Sequence, residues 1–597
     1  MDGGRRAGEG LLLNAPPPPT AASGEVSPQR DAIGVSERDP APLSGSAPGF
    51  KLPTPAAEIV AVEPPTQPAT PMSARRAQLR SLNAAGLARL AAKDLAGAAD
   101  LLAEVVNLEP ESFAAHGNYS IVLRQAKRMA EAEAHARRAV ALKPDYIQGY
   151  KLLAELLTDR RDVDGALAAY ERIIALEPDN ISAHNNAGLL LRKMRRWDEA
   201  HTAFQRAFAL NPDEPRIRFN LTMMQHDDAA LDEAIAYCRR SLEVRPDNPD
   251  VLTNLAVCQQ FTGRYDEAAE NFARACAIDP DHREARFDLS LIELLRGDYE
   301  RGWRDYEHRW RLLEATKPRF PQPEWTGEDL AGRTILLQAE QGIGDTIQCL
   351  RYVGAVAARG GRIVLRIDRS LVRLAASLRE RVTIVPPGAP LPAFDVWCPS
   401  LSLPGIFGTR PDNIPGQPYL HARSAIVERW RRRLAGLAGL RVGLVWAGSP
   451  THINDFRRSM GVEPLRPLLD LREVTFVSLQ VGARAGEYAA LSPRIMDLSA
   501  ELSDLAETAG AIANLDLVIA VDTAVVHLAG AIGKPAWVML PFSPDWRWLL
   551  DRDDSPWYPT LRLYRQPKPA DWDSVIARVK ADLAALASER ARGADEG

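Results

Sequence analysis

Residues 144–177 read PDYIQGYKLLAELLTDRRDVDGALAAYERIIALE, and the spacing in this stretch sets the pattern of the first half of the chain. Its proline is one of six at intervals of 34 residues, with an alanine twelve residues before each and a small residue twelve before that. Because proline cannot continue a helix, each one is predicted to close a two-helix unit. The three sets are Pro110, Pro144, Pro178, Pro212, Pro246 and Pro280; Ala98, Ala132, Ala166, Ala200, Ala234 and Ala268; and Gly86, Ser120, Ala154, Gly188, Thr222 and Ala256.

Units of this length and pattern resemble the tetratricopeptide repeat, a helix-turn-helix whose small residues sit where its two helices touch. A seventh, degenerate unit has Ser290 and then Gly302 in the alanine place. We therefore expect an all-α superhelix over residues 74–315. The unit runs into an aromatic cluster that is predicted to dock the superhelix onto the next domain, made of Trp303, Tyr306 and Trp310.

The resemblance also implies which side chains face the inner groove of the superhelix, namely those 26 residues before each proline. An asparagine ladder at these positions can hydrogen-bond an extended peptide backbone without reading its sequence. A protein or peptide acceptor is therefore one interpretation, although asparagine is also frequent there in repeats that bind nothing of the kind. The positions hold Ala84, Asn118, Leu152, Asn186, Asn220 and Asn254, with Asp288 in the seventh unit.

Composition bounds the class of protein. The chain has 597 residues, of which 46% are apolar and 25% charged, so several soluble globular domains are expected. A net charge of −5 argues against nucleic acid or an anionic membrane as the main partner. No apolar run reaches the roughly 18 residues of a membrane span. Five cysteines without CxxC spacing fit a reducing cytoplasm. Residues 1–73 are rich in proline, glycine and alanine, which predicts a disordered tail.

From about residue 331 short apolar runs alternate with helical stretches, which indicates parallel sheets covered on both faces. A helical stretch from Ser424 to Leu437 divides these runs into two groups. We expect two Rossmann-like α/β lobes with a cleft between them: a front lobe over 316–423, a linker over 424–440, and a rear lobe over 441–590 with a closing helix. The predicted strands are Arg333–Gln338, Arg362–Ile367, Val382–Val385, Arg441–Trp446, Val474–Leu479, Leu515–Val521 and Ala536–Leu540.

The first front-lobe strand is followed by AEQGIGDT at residues 339–346. Ligands of open α/β sheets bind at the carboxyl ends of strands, where Gly344 would let a substrate approach and Asp345 would present a carboxylate. Two alternatives remain open. Asp345 can serve only as a helix cap, or the loop can be a dinucleotide fingerprint ending at Asp368, although Ile347 occupies the place of its third glycine.

The first rear-lobe strand leads into WAGSPTHINDFRRS at residues 446–459. Backbone N–H groups near Gly448 and the Ser449 hydroxyl can donate to a diphosphate. The guanidinium of Arg457 or Arg458 can bind two oxygens at once. A solvated arginine pair is the alternative interpretation.

A third loop, DTAVVHLAG at residues 522–530, directly follows the strand that ends at Val521. Thr523 and the N–H groups of Ala524 and Val525 would open a helix. A helix start carries unpaired donors and about half a positive charge, so it can hold a phosphate. His527 lies one helical turn further on, where a histidine more often packs beneath the loop than contacts a ligand.

Together these motifs, Gly344-Asp345, the loop ending Arg458-Ser459 and the stretch from Asp522-Thr523 to Ala529, resemble glycosyltransferase family nine, the heptosyltransferase type. The resemblance spans about residues 331–580 and implies a GT-B fold with metal-independent, inverting transfer from a nucleoside-diphosphate sugar. The phosphate loop lacks the Thr-Thr and Lys of heptosyltransferases. The layout with repeats is similar to protein O-GlcNAc transferases and bacterial flagellin glycosyltransferases.

The resemblance implies a role for each motif. Asp345 would be the general base, and no metal or other cofactor is expected, since Asp551-Arg552-Asp553 is a short triplet that follows no strand. Ser478-Leu479-Gln480 would face the base or ribose. The full donor-binding set is Gly344, Gly448, Ser449, Arg457, Arg458, Ser459, Gln480, Asp522, Thr523, Ala524 and His527.

The alternative from another class is a non-catalytic scaffold, in which the repeats recruit partners and the lobes bind a nucleotide or nothing. Nucleotide release from sugar nucleotides separates the two, because only the enzyme turns its donor over.

Overall fold

The computed structural model describes residues 71–595 apart from positions 161, 195, 212–216, 218–219, 222–227, 313–316, 379–381, 451, 453 and 493. The tail predicted over residues 1–73 therefore lies outside the described residues, except for its last three positions. Those three open the helix Pro71–Ala91, so a helix begins slightly before the repeat pattern does. Proline is tolerated there, because the first N–H groups of a helix have no partner within it.

Helix pairs follow one another up to residue 306, and each fully described pair coincides with one predicted repeat. The small residue of a first helix meets the alanine of the second: the Ser120 hydroxyl donates to the Ala132 carbonyl at 2.6 Å. A Cβ on Gly188 would lie 2.8 Å from the Phe204 ring, so a larger side chain there would separate the helices. The described helices are Pro71–Ala91, Leu95–Leu108, Phe113–Gln125, Met129–Leu142, Ile147–Asp159, Val163–Leu176, Ile181–Lys193, Trp197–Leu210, Asp228–Val244, Pro249–Phe261, Tyr265–Ile278, Arg283–Leu295 and Tyr299–Tyr306.

The last helix pair, which is the degenerate seventh unit, packs against the α/β region. The buried Trp303 indole donates to the Thr409 carbonyl at 3.0 Å. Its ring meets the Trp546 ring edge-on, with 5.2 Å between the centroids. Buried aromatic pairs of this geometry add ~1 kcal/mol beyond the area they bury. The aromatic cluster at the end of the solenoid is therefore part of a shared core.

The front-lobe sheet has four parallel strands in the order β3-β2-β1-β4. The central strand β1 pairs Ile335 with Ile363 on one side and with Val396 on the other. Strand β4 was not predicted, because its four residues end in a proline and carry no alternation. The strands are β1 Thr334–Gln338, β2 Arg362–Arg366, β3 Val382–Val385 and β4 Val396–Pro399.

The rear-lobe sheet has six parallel strands in the order β10-β9-β8-β5-β6-β7. Counted within the lobe, this order matches the 3-2-1-4-5-6 arrangement of doubly wound folds. Strands β7 and β10 were not predicted, since one is two residues long and the other is an edge strand with arginines. The strands are β5 Leu440–Val445, β6 Val474–Ser478, β7 Met496–Asp497, β8 Leu517–Val521, β9 Ala536–Leu540 and β10 Leu561–Arg565.

Helices cover the sheets between these strands. Ser424–Arg433 stands between the two sheets in the chain, where a connecting helix is predicted, and its Trp430 indole donates to Glu507 at 3.0 Å. Among the described helices, none is both long and apolar enough to cross a membrane. The α-helices of this region are Ile343–Cys349, Val353–Ala357, Val372–Ala375, Leu403–Ile406, Ser424–Arg433, Asp455–Arg458, Tyr488–Leu491, Leu505–Ala513, Ala524–Ala531 and Trp572–Asp595.

A buried arginine ties the solenoid to the carboxyl edge of the front-lobe sheet. Arg309 follows the last helix and donates to both carboxylate oxygens of Glu340, at 2.8 and 3.1 Å. It also donates to the Ser402 hydroxyl at 2.9 Å. Glu340 lies just after β1 and Ser402 just after β4, so Arg309 occupies the point where the strand order of this sheet reverses.

Candidate functional site

The three loops singled out in the sequence lie at the reversal points of the two sheets. The helix Ile343–Cys349 follows β1, whose neighbour β4 lies on the far side of the sheet from β2. The other two loops follow β5 and β8, the adjacent strands between which the rear-lobe order reverses. Such reversal points open a crevice at the carboxyl ends of the strands, which is the usual ligand site of open α/β sheets.

Gly344 brings the first and third loops together. A Cβ at this position would lie 2.8 Å from Cδ2 of His527 and 3.7 Å from Cα of Ala524. The front-lobe helix Ile343–Cys349 therefore packs directly on the rear-lobe helix Ala524–Ala531. Gly344 was predicted to leave room for a substrate, whereas here it leaves room for the facing helix.

Asp345 uses its two carboxylate oxygens differently. Oδ2 accepts a hydrogen bond from the N–H of the N-cap residue Gly342 at 2.8 Å, which satisfies one donor at the start of the helix. Oδ1 accepts from Nη2 of Arg547, and the side chain stays about one-fifth exposed. Asp345 therefore lies in the first turn of the helix, where it binds the N-cap backbone rather than being the N-cap itself, and it also forms an ion pair with the rear lobe.

Arg547 lies at the candidate site, although the sequence analysis did not single it out. It belongs to the loop between β9 and β10, and its side chain is buried. In addition to Asp345, Arg547 pairs with Asp545 at 2.8 Å and donates to Oε1 of Gln348. Its guanidinium carbon lies 4.1 Å from the ring centroid of Trp546. Despite desolvation, these carboxylates raise the pKa of Arg547 above its ordinary value. The available signal was a lone arginine between two tryptophans, Trp546 and Trp548, after a strand.

Asp522 and His527 lie buried at the carboxyl end of β8. Burial raises the pKa of Asp522, repulsion from Asp545 adds to this, and Arg458 opposes it. Burial, then the charge of Arg547, lowers the pKa of His527 to about 3, so its imidazole is neutral at physiological pH. His527 Nδ1 is 3.0 Å from the Tyr558 hydroxyl, and the ring stacks on Trp548. His527 therefore supports the loop by packing.

Thr523 starts the helix Ala524–Ala531, yet its side chain makes no cap hydrogen bond. Its Oγ1 is buried and has no hydrogen-bond partner among the described residues. Buried hydroxyls without a partner are rare and costly. The unpaired hydroxyl lies beside the N–H groups of the first helical turn, where an anion is favoured.

The loop after β5 is closed by its own residues. The Gly448 N–H donates to Ser459 Oγ at 2.9 Å, and that hydroxyl donates to Asp455 at 2.9 Å. Arg458 Nε donates to the same Asp455 oxygen at 3.3 Å. Gly448 and Ser459 were predicted as ligand contacts. In the structure they stabilise the loop, because the Ser459 hydroxyl links the Gly448 N–H to Asp455, which also accepts from the Arg458 guanidinium. Ser449 is exposed on the same loop.

Two further predicted donor contacts, Arg457 and Gln480, have partners within the chain. The Arg457 guanidinium lies 3.8 Å from the centroid of the Phe261 ring, which belongs to the solenoid. Gln480 Oε1 accepts from the backbone N–H groups of Trp446 and Ala447, at 3.2 and 3.0 Å. Its amide nitrogen donates to the Val481 carbonyl at 3.1 Å. Gln480 therefore joins the ends of β5 and β6, and its amide contacts backbone where a ribose contact was predicted.

Three of the four asparagines in the predicted ladder are hydrogen-bonded within the solenoid. Asn118 donates to Oδ1 of Asn83 at 3.1 Å, and Asn220 donates to Asn185 at 2.8 Å. Both bonds join neighbouring repeats. Asn186 donates to the Tyr170 hydroxyl at 3.2 Å, and Asn254 is partly exposed. The partners Asn83 and Asn185 each stand one residue before a ladder position, which the 34-residue spacing did not single out.

Within the described ranges, the structure contains no group of three or more His, Cys, Asp or Glu side chains placed to hold a metal ion.

Comparison with protein families identifies the repeats. Tetratricopeptide repeats match residues 89–156, 185–249, 237–270 and 259–307. Together with the observed helix pairs, these matches confirm that the N-terminal part is a tetratricopeptide-repeat solenoid. It is followed by an α/β region with two parallel sheets.

A curated relative and several solved structures are similar to parts of this chain. Protein FlbA of Caulobacter vibrioides is 29% identical over 313 residues, which are 47% of this chain and 52% of FlbA. This alignment thus covers about half the length of the relative. A tetratricopeptide-repeat protein from Parabacteroides merdae is 18% identical over 38% of this chain and 91% of its own, with a TM-score of 0.33. YrrB, a repeat protein described as having an unusual peptide-binding site, is 22% identical over 31% of this chain and 96% of its own, with a TM-score of 0.25.

Proposed function

We propose that the α/β region is a GT-B glycosyltransferase that moves a sugar from a nucleoside diphosphate to a hydroxyl acceptor, without a metal and with inversion. One observation carries the proposal: the helix that bears Asp345 packs on the helix that Thr523 opens, with Gly344 at the contact. This packing supports the proposal, because it brings a carboxylate of one lobe next to a helix start of the other that is suited to an anion.

The chemistry needs a base and a stabilised leaving group. The acceptor oxygen forms a bond to the anomeric carbon, and its proton passes to the Asp345 carboxylate. The bond from that carbon to the diphosphate oxygen breaks, and the electron pair leaves with the nucleoside diphosphate. Attack from the face opposite the leaving group inverts the anomeric centre. Asp345 is partly exposed, as a base that meets an acceptor must be.

Stabilising the negative charge on the departing diphosphate requires more electrostatic stabilisation than the proton transfer to Asp345. The start of the helix Ala524–Ala531 offers unpaired N–H groups, and Thr523 Oγ1 is a buried hydroxyl with no partner among the described residues. Arg458 adds a positive charge beside Asp522. Preorganised donors of this kind supply about 3–4 kcal/mol each to stabilising a developing anion.

A protein acceptor fits the attachment of the solenoid. Tetratricopeptide repeats generally bind proteins, and the asparagines of this groove keep donor and acceptor atoms beyond those their mutual bonds use. The C-terminal end of the solenoid adjoins the cleft, since the Tyr306 hydroxyl donates to Gln341 at 3.4 Å, four residues before Asp345. A peptide lying along the repeats would thus be led toward the base.

A scaffold with an inert α/β region is the second candidate, and a specific observation favours it. Both oxygens of Asp345 already accept hydrogen bonds, from Gly342 and Arg547. Three predicted ligand contacts, Gly448, Ser459 and Gln480, are engaged within the chain.

The test measures nucleoside diphosphate released from UDP-, GDP-, ADP- and dTDP-sugars by the full chain. Asp345→Asn keeps an oxygen for the Gly342 N–H but cannot take a proton. We expect release from one donor family, reduced at least ~100-fold by Asp345→Asn. Asp554→Asn, which removes an exposed carboxylate paired with Arg552, is the matched control and should retain activity. Tight nucleotide binding without release from any donor would instead establish the scaffold.

A further inference from the structure

The segment 541–560, between β9 and β10, crosses from the rear lobe to the front lobe; we call it the bridging segment. The Trp557 carbonyl accepts from Arg351 of the front lobe at 3.0 Å. Arg547 reaches Asp345 and Gln348, both on the front-lobe helix Ile343–Cys349. The bridging segment therefore places a buried cation at the base of the proposed cleft.

The Arg547 guanidinium is shared by two carboxylates. Asp545 holds it from within the bridging segment at 2.8 Å, and Asp345 holds it from the opposite lobe. The Trp546 ring lies 4.1 Å from the guanidinium carbon and is itself wedged against Trp303 of the solenoid. Asp545 and Trp546 hold Arg547 from within the bridging segment, whereas Gln348 and Asp345 contact it from the front lobe. Of the two front-lobe contacts, the one to Asp345 is the ion pair.

The anion site proposed above lies close to this pair. Asp345 is the residue after Gly344, and Gly344 contacts Ala524 in the first turn of the rear-lobe helix. Arg547 also acts electrostatically on His527, one turn further along that helix. A diphosphate held by the start of this helix would therefore approach the Arg547 guanidinium, which suits bidentate binding of phosphate oxygens.

We propose that Arg547 is a positioning residue for Asp345 that the donor's diphosphate recruits, so that the phosphates take over the guanidinium and release the carboxylate to accept the acceptor's proton. This inference rests on the function proposed above. It makes donor binding the step that frees the base. A carboxylate and a diphosphate then compete for one cation, and that competition is measurable without turnover.

The test is a binding cycle on the full chain, with UDP, GDP, ADP and dTDP as probes in calorimetry. Asp345→Asn removes the competitor and should tighten binding of the preferred nucleotide about tenfold, the weight of one charge-assisted bond. Arg547→Gln should weaken binding, and Asp345→Asn should bring no gain in that background. Arg547→Lys keeps the buried cation but cannot bind two oxygens at once, so Asp345→Asn should bring a smaller gain in that background than in the wild type. This comparison serves if Arg547→Gln does not fold, and an undiminished gain would overturn the inference.

The outcomes separate the two proposals. Unchanged or weaker binding by Asp345→Asn overturns this inference while leaving nucleotide binding intact. An equal gain in Asp554→Asn also overturns it, because the effect would then be general charge. Absence of binding of all four nucleotides to the wild-type chain contradicts the proposed function, and the inference with it.

Discussion

Arg457 carries its guanidinium 3.8 Å from the centre of the Phe261 ring, so the loop after β5 rests on the solenoid. Phe456, the preceding residue, places its own ring 5.1 Å from the same guanidinium. The next residue, Arg458, turns back to Asp455 inside the loop. The two neighbouring arginines therefore make different contacts: Arg457 joins the loop to the repeats, and Arg458 stabilises the loop from within.

Removing that anchor is expected to loosen the loop. Phe261→Leu keeps the apolar volume but loses the ring face, which is worth about 1 kcal/mol for a partly desolvated cation. Amide exchange over residues 446–459 should accelerate, and nucleotide affinity should fall severalfold. Phe261→Trp, which offers a stronger π face, is the rescue control. Identical exchange in the leucine and tryptophan variants would contradict the anchoring role.

Gly344→Ala should disrupt the contact between the lobes. Its Cβ would lie 2.8 Å from the His527 ring, and overpacking of this kind costs about 1–3 kcal/mol. Thermal unfolding of the α/β region should shift to lower temperature and nucleotide release should fall. Gly436→Ala is the matched control, because nothing lies within 4 Å of a Cβ there. Equal behaviour of the two variants would show that the close approach is unimportant.

Arg309→Met should separate the solenoid from the front lobe. Breaking a buried ion pair by removing one partner costs about 3–5 kcal/mol, because Glu340 would keep an uncompensated charge. We expect calorimetric unfolding of this variant to resolve into two transitions, one for each part. Arg304→Met removes an exposed arginine from the last solenoid helix and should leave the profile unchanged. A single unshifted transition in both variants would contradict the prediction.

His527 predicts an acid sensitivity of defined sign. Its pKa is lowered to about 3 in the fold, while an unfolded histidine titrates near ~6.5. Between these values the unfolded chain binds a proton that the folded chain does not, so the histidine's effect on stability is nil at pH 7 and increasingly unfavourable below. His527→Gln should lessen the loss of melting temperature between pH 6.5 and 4. If the melting temperatures of the wild type and the variant fall equally with pH, His527 does not cause the acid sensitivity.

The repeats were predictable because the same contact between two helices recurs every 34 residues, and it requires small residues at fixed positions in the sequence. Ser120 and Ala132 are paired twelve residues apart in the sequence, and they hydrogen-bond where the two helices touch. The strand-end loops were found for a similar local reason, since each follows a short apolar run. Asp345 and Thr523 could therefore be placed after strands from the sequence alone, and the helices that carry or follow them pack on one another.

The features of the site that could not be predicted depend on contacts between segments that are far apart in the sequence. Arg547 meets Asp345 across 202 positions, and no local pattern encodes that pairing. Gln480 and Ser459 were assigned to a ligand because their residue types suit one, but their hydrogen-bond capacity is used by neighbouring backbone and Asp455. Local chemistry indicated where the polar groups lie, and tertiary structure decided which of them remain available.

The edge-on contact between Trp303 and Trp546 has a consequence for how this chain can be cut. Tyr299 continues the contact, since its hydroxyl accepts a hydrogen bond from the buried Trp557 indole at 3.1 Å. A fragment that starts after the last repeat would expose Trp546 and Trp557 to water. The resulting apolar patch would favour self-association. A fragment of the α/β region that keeps these aromatic contacts must therefore include the final helix pair, which begins at Arg283.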